Sequence, residues 1–366
     1  MKKTTSYDVI IVGGGGAGLI LARELSNKKL KVLIIDLKKD LLDFSFYTLA
    51  SFINLKEFNL TDSVVAQNID EICVQSKKFS SIVKDKLYTL DKRKVHQELL
   101  NSINSKCVTF KLNTQIKDVI KENNIFTSVI DKSGNTYSGK IIVDSTGTVG
   151  RLSKKIGLQS QHTELATGVE YNAKYLGKTN RIYLLLGKNF EGGYGWIFPL
   201  KNKRCIIGFG TTDKALKKGL KNRLNKILSL PKIKELVEKD NENVEGGSIP
   251  ITPVLDKFVL NNLVCVGDSV SQVNPIAGEG YKFIFESAIM ASRAIYNSII
   301  QDDLRLLNEY ENEWRERFLS NYKRSKKAQE RINKLSKNDF LIDAGIFLSK
   351  LRSNKKNVQS LSGEYL

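Results

Sequence analysis

The chain contains little cysteine, histidine or proline. Its 366 residues include 4 Cys, 2 His and 5 Pro. The cysteines are scattered and form no CxxC pair: Cys73, Cys107, Cys205 and Cys265. Because a zinc site needs clustered thiolates and imidazoles, we expect no metal centre, and so few cysteines exclude a disulfide-rich scaffold. Scattered cysteines are typical of a reducing compartment, which predicts a cytoplasmic protein.

Long uninterrupted apolar runs are also absent. No stretch reaches the roughly 18 uncharged apolar residues that a membrane-spanning helix needs. Lys2 and Lys3 precede an apolar run, as in a signal peptide, but Asp8 and four glycines interrupt that run. We therefore expect neither a signal peptide nor a transmembrane helix, while a peripheral membrane contact remains open.

Positive charge, by contrast, is in excess. The chain has 58 Lys and Arg against 39 Asp and Glu, a formal charge of +19 in an otherwise ordinary globular composition. One interpretation is a lysine-rich solvated surface. The other is attraction to an anionic membrane surface, aided by the cluster Lys323, Arg324, Lys326 and Lys327. No nucleic-acid-binding motif accompanies the charge, so we expect no nucleic-acid partner.

A glycine-rich motif near the N-terminus predicts a dinucleotide site. Residues 7–12 and 31–36 have the pattern of buried strands, and a helical segment lies between them. The GxGxxG glycines allow a tight turn, close approach of a pyrophosphate and close helix packing, and Asp36 is placed to bind ribose hydroxyls. The helix N-terminus adds free N–H groups for the phosphates. The predicted contacts are Gly13, Gly15, Gly16, Ala17, Gly18 and Asp36.

Further nucleotide contacts are predicted at two later turns. Segment 92–103 has helical spacing, and Arg93 at its start is either solvated or bound to the pyrophosphate. His96 in the same helix is more readily explained as structural. A hairpin over residues 126–143 ends in an Asp-x-x-Gly turn, which places Gly147 near the nucleotide.

A last polar loop follows a buried strand at residues 262–267. Asp268 would bind a ribose or ribityl hydroxyl. The loop before the helix at 281–300 would place backbone N–H groups near developing negative charge. Glu279 is either a proton donor or a stabiliser of the helix start. The predicted cofactor contacts here are Gly267, Asp268, Pro275, Gly278 and Gly280.

The stretch 158–254 differs in character, because it contains alternating strands and a basic amphipathic helix near 214–228. We predict a separate sheet-based lobe. Within it, the sequence at residues 194–199 is YGWIFP, and alternation places Tyr194, Trp196 and Phe198 on one face.

The order of these motifs resembles the FAD-dependent, glutathione-reductase-type flavoproteins that include aromatic hydroxylases. Residues 194–199, followed by GFG at 208–210, resemble the geranylgeranyl reductase family, as does the segment INKLSKNDF. The resemblance extends from Tyr7 to about Leu351. It implies an α/β fold: a Rossmann-type FAD-binding domain, an inserted, mainly antiparallel substrate lobe, and a C-terminal helical segment. The FAD-binding domain is predicted to be discontinuous and to comprise residues 1–70, 88–157 and 255–300. The substrate lobe comprises residues 71–87 and 158–254, and the C-terminal helical region comprises residues 301–366.

The resemblance also implies the chemistry. Reduced FAD would give a hydride to a C=C bond of an isoprenoid lipid, and a proton would go to the other carbon. The implied substrate pocket contains Tyr194, Trp196 and Phe198, with Phe46 and Tyr47 from a stretch that replaces the Cys-Gly-Gly-like segment common in the family. The electron donor would be NAD(P)H or ferredoxin. A flavin monooxygenase of a hydrophobic substrate and a non-redox, carotenoid-cyclase-type flavoprotein remain as alternatives. No catalytic residue is assigned.

Overall fold

A βαβ unit opens the fold, as the glycine-rich motif predicts. The computed structural model describes residues 6–365 apart from residues 45, 47, 160–163, 242, 252–253 and 277. Within these residues the strands form two sheets, one of eight strands and one of nine.

Strands and helices alternate in the first third of the chain, and helices dominate the last quarter. The described strands are β1 (Ser6–Val12), β2 (Val32–Ile35), β3 (Thr48–Ser51), β4 (Val65–Gln75), β5 (Ser80–Asp91), β6 (Val108–Lys111), β7 (Ile116–Glu122), β8 (Ile125–Asp131), β9 (Thr136–Asp144), β10 (Leu165–Tyr175), β11 (Arg181–Leu185), β12 (Gly193–Leu200), β13 (Arg204–Thr211), β14 (Val237–Glu238), β15 (Val244–Pro250), β16 (Val259–Leu260) and β17 (Leu263–Cys265). The described helices are α1 (Gly16–Asn27), α2 (Lys92–Asn101), α3 (Arg151–Lys155), α4 (Leu220–Leu228), α5 (Pro231–Lys234), α6 (Tyr281–Gln301), α7 (Asn308–Trp314), α8 (Ser320–Leu335), α9 (Asp339–Ser349) and α10 (Asn354–Ser362).

The first sheet brings three loops to one edge. Its strand order is β16, β17, β9, β1, β2, β6, with the β7–β8 hairpin attached through β8. The strands from β17 to β6 run parallel, and Val9–Val12 of β1 are fully buried, as interior parallel strands require. Val12 lies beside Asp144, and Asp144 lies beside Cys265. The loops that follow β1, β9 and β17 therefore meet, which is where open α/β sheets bind ligands.

The second sheet is mixed rather than purely antiparallel. Its order is β14, β10, β13, β12, β11, β4, β5, β3, with β15 also paired to β10. The β11–β4 pairing is parallel, while the others are antiparallel. One face packs on α4, whose buried residues Leu224 and Ile227 belong to the same hydrophobic cluster as Ile197 and Ile207 of the sheet. The opposite face of β12 borders a cavity.

The second sheet begins earlier in the chain than the predicted lobe. Strand β3 belongs to it, and the predicted boundaries at residues 70–71 and 87–88 fall inside β4 and β5. These two long strands pair with each other along most of their length, so a boundary within them would break one ladder. The β8–β9 hairpin matches the prediction, with Ser128 opposite Ser138.

The C-terminal segment is helical, as predicted. Helix α6 packs against α1, and α7 continues through a π turn at Arg315–Leu319 into α8. Helices α9 and α10 lie against β5 of the second sheet. None of the described helices is long and apolar enough to cross a membrane.

Candidate functional site

A cavity of about 420 Å³ lies at the edge where the three loops of the first sheet meet. Gly13 has φ +106°, and a Cβ there would lie 2.4 Å from the carbonyl oxygen of Ser145. A Cβ on Gly18 would lie 2.1 Å from the carbonyl oxygen of Gly13. Both glycines are therefore required by the packing of the chain itself. Most of the predicted contacts line the cavity: Gly13, Gly15, Gly16, Ala17, Asp36, Gly147 and Asp268.

Gly15 differs from its neighbours, because nothing lies within 4 Å of the position that its Cβ would take. Its φ of −76° and ψ of −170° are open to any residue. Neither packing nor backbone conformation of the chain requires glycine here. The open space leaves room for a ligand group to approach the backbone at the start of α1, as a pyrophosphate does at such a helix N-terminus.

Asp36 and Asp268 place one carboxylate at each side of this cleft. Asp36 accepts hydrogen bonds from the backbone N–H of Gly14 at 2.6 Å and of Lys38 at 2.7 Å. Asp268 Oδ1 is buried, and no donor in the described part of the chain reaches it. Burial raises the pKa of Asp268 to about 6, and the charge of Lys92 opposes the shift. A ligand hydroxyl would satisfy this oxygen.

Lys92, rather than Arg93, faces the cleft. Asp91 caps α2 through a 3.1 Å bond from the N–H of Lys94, so the helix begins at Lys92. The first helical side chain then lines the cavity, and the next, about 100° further round the helix, is exposed. Arg93, the predicted contact of the pyrophosphate, therefore does not line this cavity. Lys92 lines the cavity instead, together with Lys38 and Arg151.

His96 and Tyr281 form a buried pair in the cleft wall. His96 Nε2 lies 2.7 Å from the Tyr281 hydroxyl oxygen. Burial and the nearby lysines lower the pKa of His96 to about 3, so the ring is neutral. Its Nδ1 has no partner among the described residues. The lysines and Arg151, the orphaned oxygen of Asp268 and the open backbone at Gly15 together fit a dinucleotide.

A second cavity, of about 340 Å³, lies against the free face of the second sheet. Its walls are mostly apolar and include four of the predicted pocket residues: Phe46, Tyr194, Trp196 and Phe198. Tyr47 lies outside the described residues. Alternation along β12 explains the arrangement, since Ile197 on the opposite face is fully buried in the hydrophobic cluster that includes residues of α4.

Glycines on two neighbouring strands lie directly beneath the Trp196 indole, and we call Gly168 and Gly208 the glycine bed. A Cβ on Gly208 would lie 2.3 Å from the indole, and one on Gly168 would lie 2.8 Å from it. The Phe198 ring stacks beside the indole at a centroid distance of 6.2 Å. Because the bed is bare backbone, the large ring can lie along the sheet and leave the cavity open.

Glu170 is the buried acid of this apolar cavity. It lies on β10 opposite Gly208, and Trp196 Nε1 donates to its Oε2 at 3.0 Å. Its Oε1 is buried, and no donor in the described part of the chain reaches it. Burial and the charge of Glu245, opposite on β15, raise the pKa of Glu170 to about 8, while Trp196 and Lys92 oppose the shift. The carboxyl group is therefore protonated at neutral pH.

The cleft and the apolar cavity adjoin at Lys92 and Phe46. Lys92 lines the cleft, and its Nζ lies 3.9 Å from the centroid of the Phe46 ring, which lines the cavity. Burial and Lys38 lower the pKa of Lys92 to about 8. A ligand in the cleft and one in the cavity would therefore meet near this pair.

The loop that precedes α6 contributes mainly to the apolar cavity. Pro275 and Gly278 line that cavity rather than the cleft, whereas Gly267 and Gly280 line neither. Glu279 is buried, with its oxygens accepting from the Ser51 hydroxyl at 2.7 Å and from the N–H of Phe52 at 3.2 Å. This residue ties the loop to β3 and lies in neither cavity wall, which favours the structural interpretation.

Sequence reasoning did not find Lys92 or Glu170 as site residues. The helix cap at Asp91 was the only local signal for Lys92. For Glu170, the local signal was an acidic residue within a strand. Gly168, two residues earlier, lies on the same face of that strand. The described residues contain no cluster of His, Cys, Asp and Glu that could hold a metal ion.

Curated relatives match most of the chain at low identity. The chain is 24% identical over 338 residues to digeranylgeranylglycerophospholipid reductase 1 of Methanococcoides burtonii, covering 85% of this chain and 80% of the relative. It is 25% identical over 339 residues to the digeranylgeranylglycerophospholipid reductase of Methanococcus aeolicus, covering 86% and 83%. These relatives confirm the predicted resemblance to the geranylgeranyl reductases.

Solved structures confirm the fold. A geranylgeranyl bacteriochlorophyll reductase-like protein from Thermoplasma acidophilum superposes with a TM-score of 0.86 at 21% identity, over 98% of this chain and 96% of that one. The flavin-dependent brominase Bmp2 superposes with a TM-score of 0.78 at 17% identity, over 98% and 94%. The protein-family model described as lycopene cyclase protein matches residues 8–337. The chain therefore belongs to the lycopene cyclase protein family, on the scaffold of flavoprotein oxidoreductases.

Proposed function

We propose that this protein is an FAD-dependent reductase of C=C bonds in an isoprenoid lipid of the geranylgeranyl type. One observation carries the proposal: an apolar cavity lined by the protonated carboxyl group of Glu170 adjoins a cleft suited to a dinucleotide. A prenyl chain offers no polar group to bind, so apolar walls such as Trp196 and Phe198 suit it. The names of the curated reductases support the same substrate class.

Different residues of the chain would bind the cofactor and supply the proton in such a reaction. Gly15, Asp36 and Asp268 would hold the dinucleotide, and Lys38, Lys92 and Arg151 would bring positive charge to the same cleft. Reduced FAD bound in this cleft would supply the chemistry of hydride transfer to one alkene carbon. Glu170 holds a proton at its carboxyl group in the cavity and would give it to the other carbon, so that one hydride and one proton saturate the bond.

An anaerobic experiment tests the proposed reaction. The purified protein is reduced without oxygen, and a detergent-dispersed geranylgeranyl lipid is added while the oxidised-flavin band is recorded. We expect the band to reappear and the lipid to gain two hydrogens in mass. Reoxidation only after air enters, with oxygen incorporated into the lipid, would instead indicate a monooxygenase.

Glu170 and the family model also favour a second candidate, a flavin-dependent carotenoid cyclase. A carboxylic acid in an apolar cavity can protonate a polyene and start ring closure with no net change in oxidation state. With a linear carotenoid polyene in place of the geranylgeranyl lipid, a cyclase would leave the flavin reduced and would yield a product of unchanged mass. The two reactions are therefore separated by one spectrum and one mass measurement.

Replacing Trp196 tests the cavity as the lipid site. We expect Trp196→Ala to keep its flavin, because the indole lines only the apolar cavity, and to lose lipid turnover at least about tenfold through lost apolar contact. The control is Trp196→Phe, which keeps a ring on the glycine bed. Equal turnover by Trp196→Ala and the unsubstituted protein would place the lipid elsewhere.

A further inference from the structure

Helix α9 is apolar on two opposite sides. Ile342 and Ile346 are buried against the body of the protein. The opposite side presents large apolar residues to solvent, and Phe340 and Leu351 are each 75% exposed. At 100° per residue these side chains form one stripe that continues past the end of the helix. We call this stripe the α9 apolar face: Phe340, Leu341, Phe347, Leu348 and Leu351.

The two aspartates of α9 bind the rest of the protein and so determine which side of the helix faces solvent. Asp343 Oδ1 accepts hydrogen bonds from the Ser76 hydroxyl at 2.5 Å and from the N–H of Lys78 at 3.0 Å. Asp339 Oδ1 accepts from the N–H of Lys188 at 2.8 Å. Both carboxylates are thereby turned to the protein, and the α9 apolar face carries no acid. An exposed contiguous apolar patch of this kind marks an interaction surface.

Positive charge is concentrated in the segment that contains the α9 apolar face. Residues 323–356, which contain it, include eleven Lys or Arg and three Asp or Glu. Lys350, Arg352, Lys355 and Lys356 follow the helix and are exposed. An apolar stripe bordered by lysines and arginines suits the interface of an anionic bilayer, where the apolar side chains insert and the cations meet headgroups.

The same region borders the apolar cavity. Ile332 and Asn333 of α8, just before α9, line the cavity, and so do Ser360 and Leu361 of α10, just after it. From this continuity and the charge, we propose that the α9 apolar face docks on an anionic lipid bilayer and brings the cavity to the membrane surface. The proposal rests on the proposed lipid substrate for its purpose, but its test requires no turnover.

Vesicle co-sedimentation of the full chain tests the docking. Vesicles of equal parts phosphatidylcholine and phosphatidylglycerol are compared with vesicles of phosphatidylcholine alone. We expect binding to the anionic vesicles, weaker binding to the neutral ones, and a loss of at least about tenfold in partitioning for Phe340→Ser/Leu348→Ser. The matched control is Ile300→Ser on α6, which removes a side chain 62% exposed outside the α9 apolar face and should leave partitioning unchanged.

Three outcomes would overturn the proposal. These are no binding to anionic vesicles, equal losses in the double variant and in Ile300→Ser, or a dimer in sedimentation velocity that the double variant dissociates, since the face would then pair with a second copy. We expect the double variant to retain turnover of detergent-dispersed lipid. A protein that binds vesicles but reduces no lipid would refute the proposed function and leave the docking surface intact.

Discussion

Glu170→Gln should retain its flavin and reduce lipid about 100-fold more slowly, since loss of a positioned acid costs that order of rate. The amide preserves the shape of the side chain and can still accept the hydrogen bond from Trp196, but it has no acidic proton to give. The measurement is the rate of lipid-dependent flavin reoxidation in a single anaerobic turnover. Glu238→Gln, at an exposed position of the same sheet, is the control and should react at the original rate.

The pH dependence gives the same hypothesis a second readout. Glu170 has a raised pKa of about 8, so it is protonated below that pH and loses its proton above it. The rate should therefore fall as the pH rises through 8, and Glu170→Gln should lack this decline. Since the hydrogen bond from Trp196 lowers the pKa of Glu170, Trp196→Phe should move the decline to higher pH. An unchanged profile in both variants would exclude Glu170 as the proton source.

Gly15→Val should fold normally and emerge from purification with less than about a tenth of the flavin, because the new side chain would occupy the path by which a pyrophosphate approaches the backbone. Its Cβ meets nothing within 4 Å, and the φ of −76° suits valine, so the expected loss is one of binding rather than of folding. Flavin absorbance per protein and the midpoint of thermal unfolding without flavin are the two measurements.

The control for this substitution is Gly345→Ala, a helical glycine that also has open space around its Cβ position. It should leave the flavin content unchanged and slightly raise the unfolding midpoint, because alanine is the better helix former. Full flavin occupancy in Gly15→Val would contradict a pyrophosphate at the start of α1.

The parts of the site that follow from local sequence were predictable. The strand, glycine turn and helix around Gly13 lie within a few residues of one another, and each glycine has a stereochemical role that its spacing reveals. The common face of Tyr194, Trp196 and Phe198 follows from the two-residue period of a strand. Both inferences depend on no long-range contact.

The parts of the site that depend on the rotational phase of a helix or on strand pairing could not be predicted from the sequence. Whether Lys92 or Arg93 enters the cleft depends on the residue at which α2 begins, and one step turns a side chain by about 100°. Glu170 becomes a site residue only because β10 pairs with β13 in a register that sets it opposite Gly208. No property of residues 165–175 alone specifies that register.

The glycine bed beneath Trp196 has an evolutionary consequence. A methyl group at Gly208 would lift the indole and make the cavity shallower, although every aromatic residue of the wall would stay the same. Selectivity for substrate length can thus change through substitutions beneath the aromatic wall of the cavity. A comparison of the wall residues alone would not detect such a change. Relatives with identical aromatic motifs can therefore diverge in the length of the chain they accept.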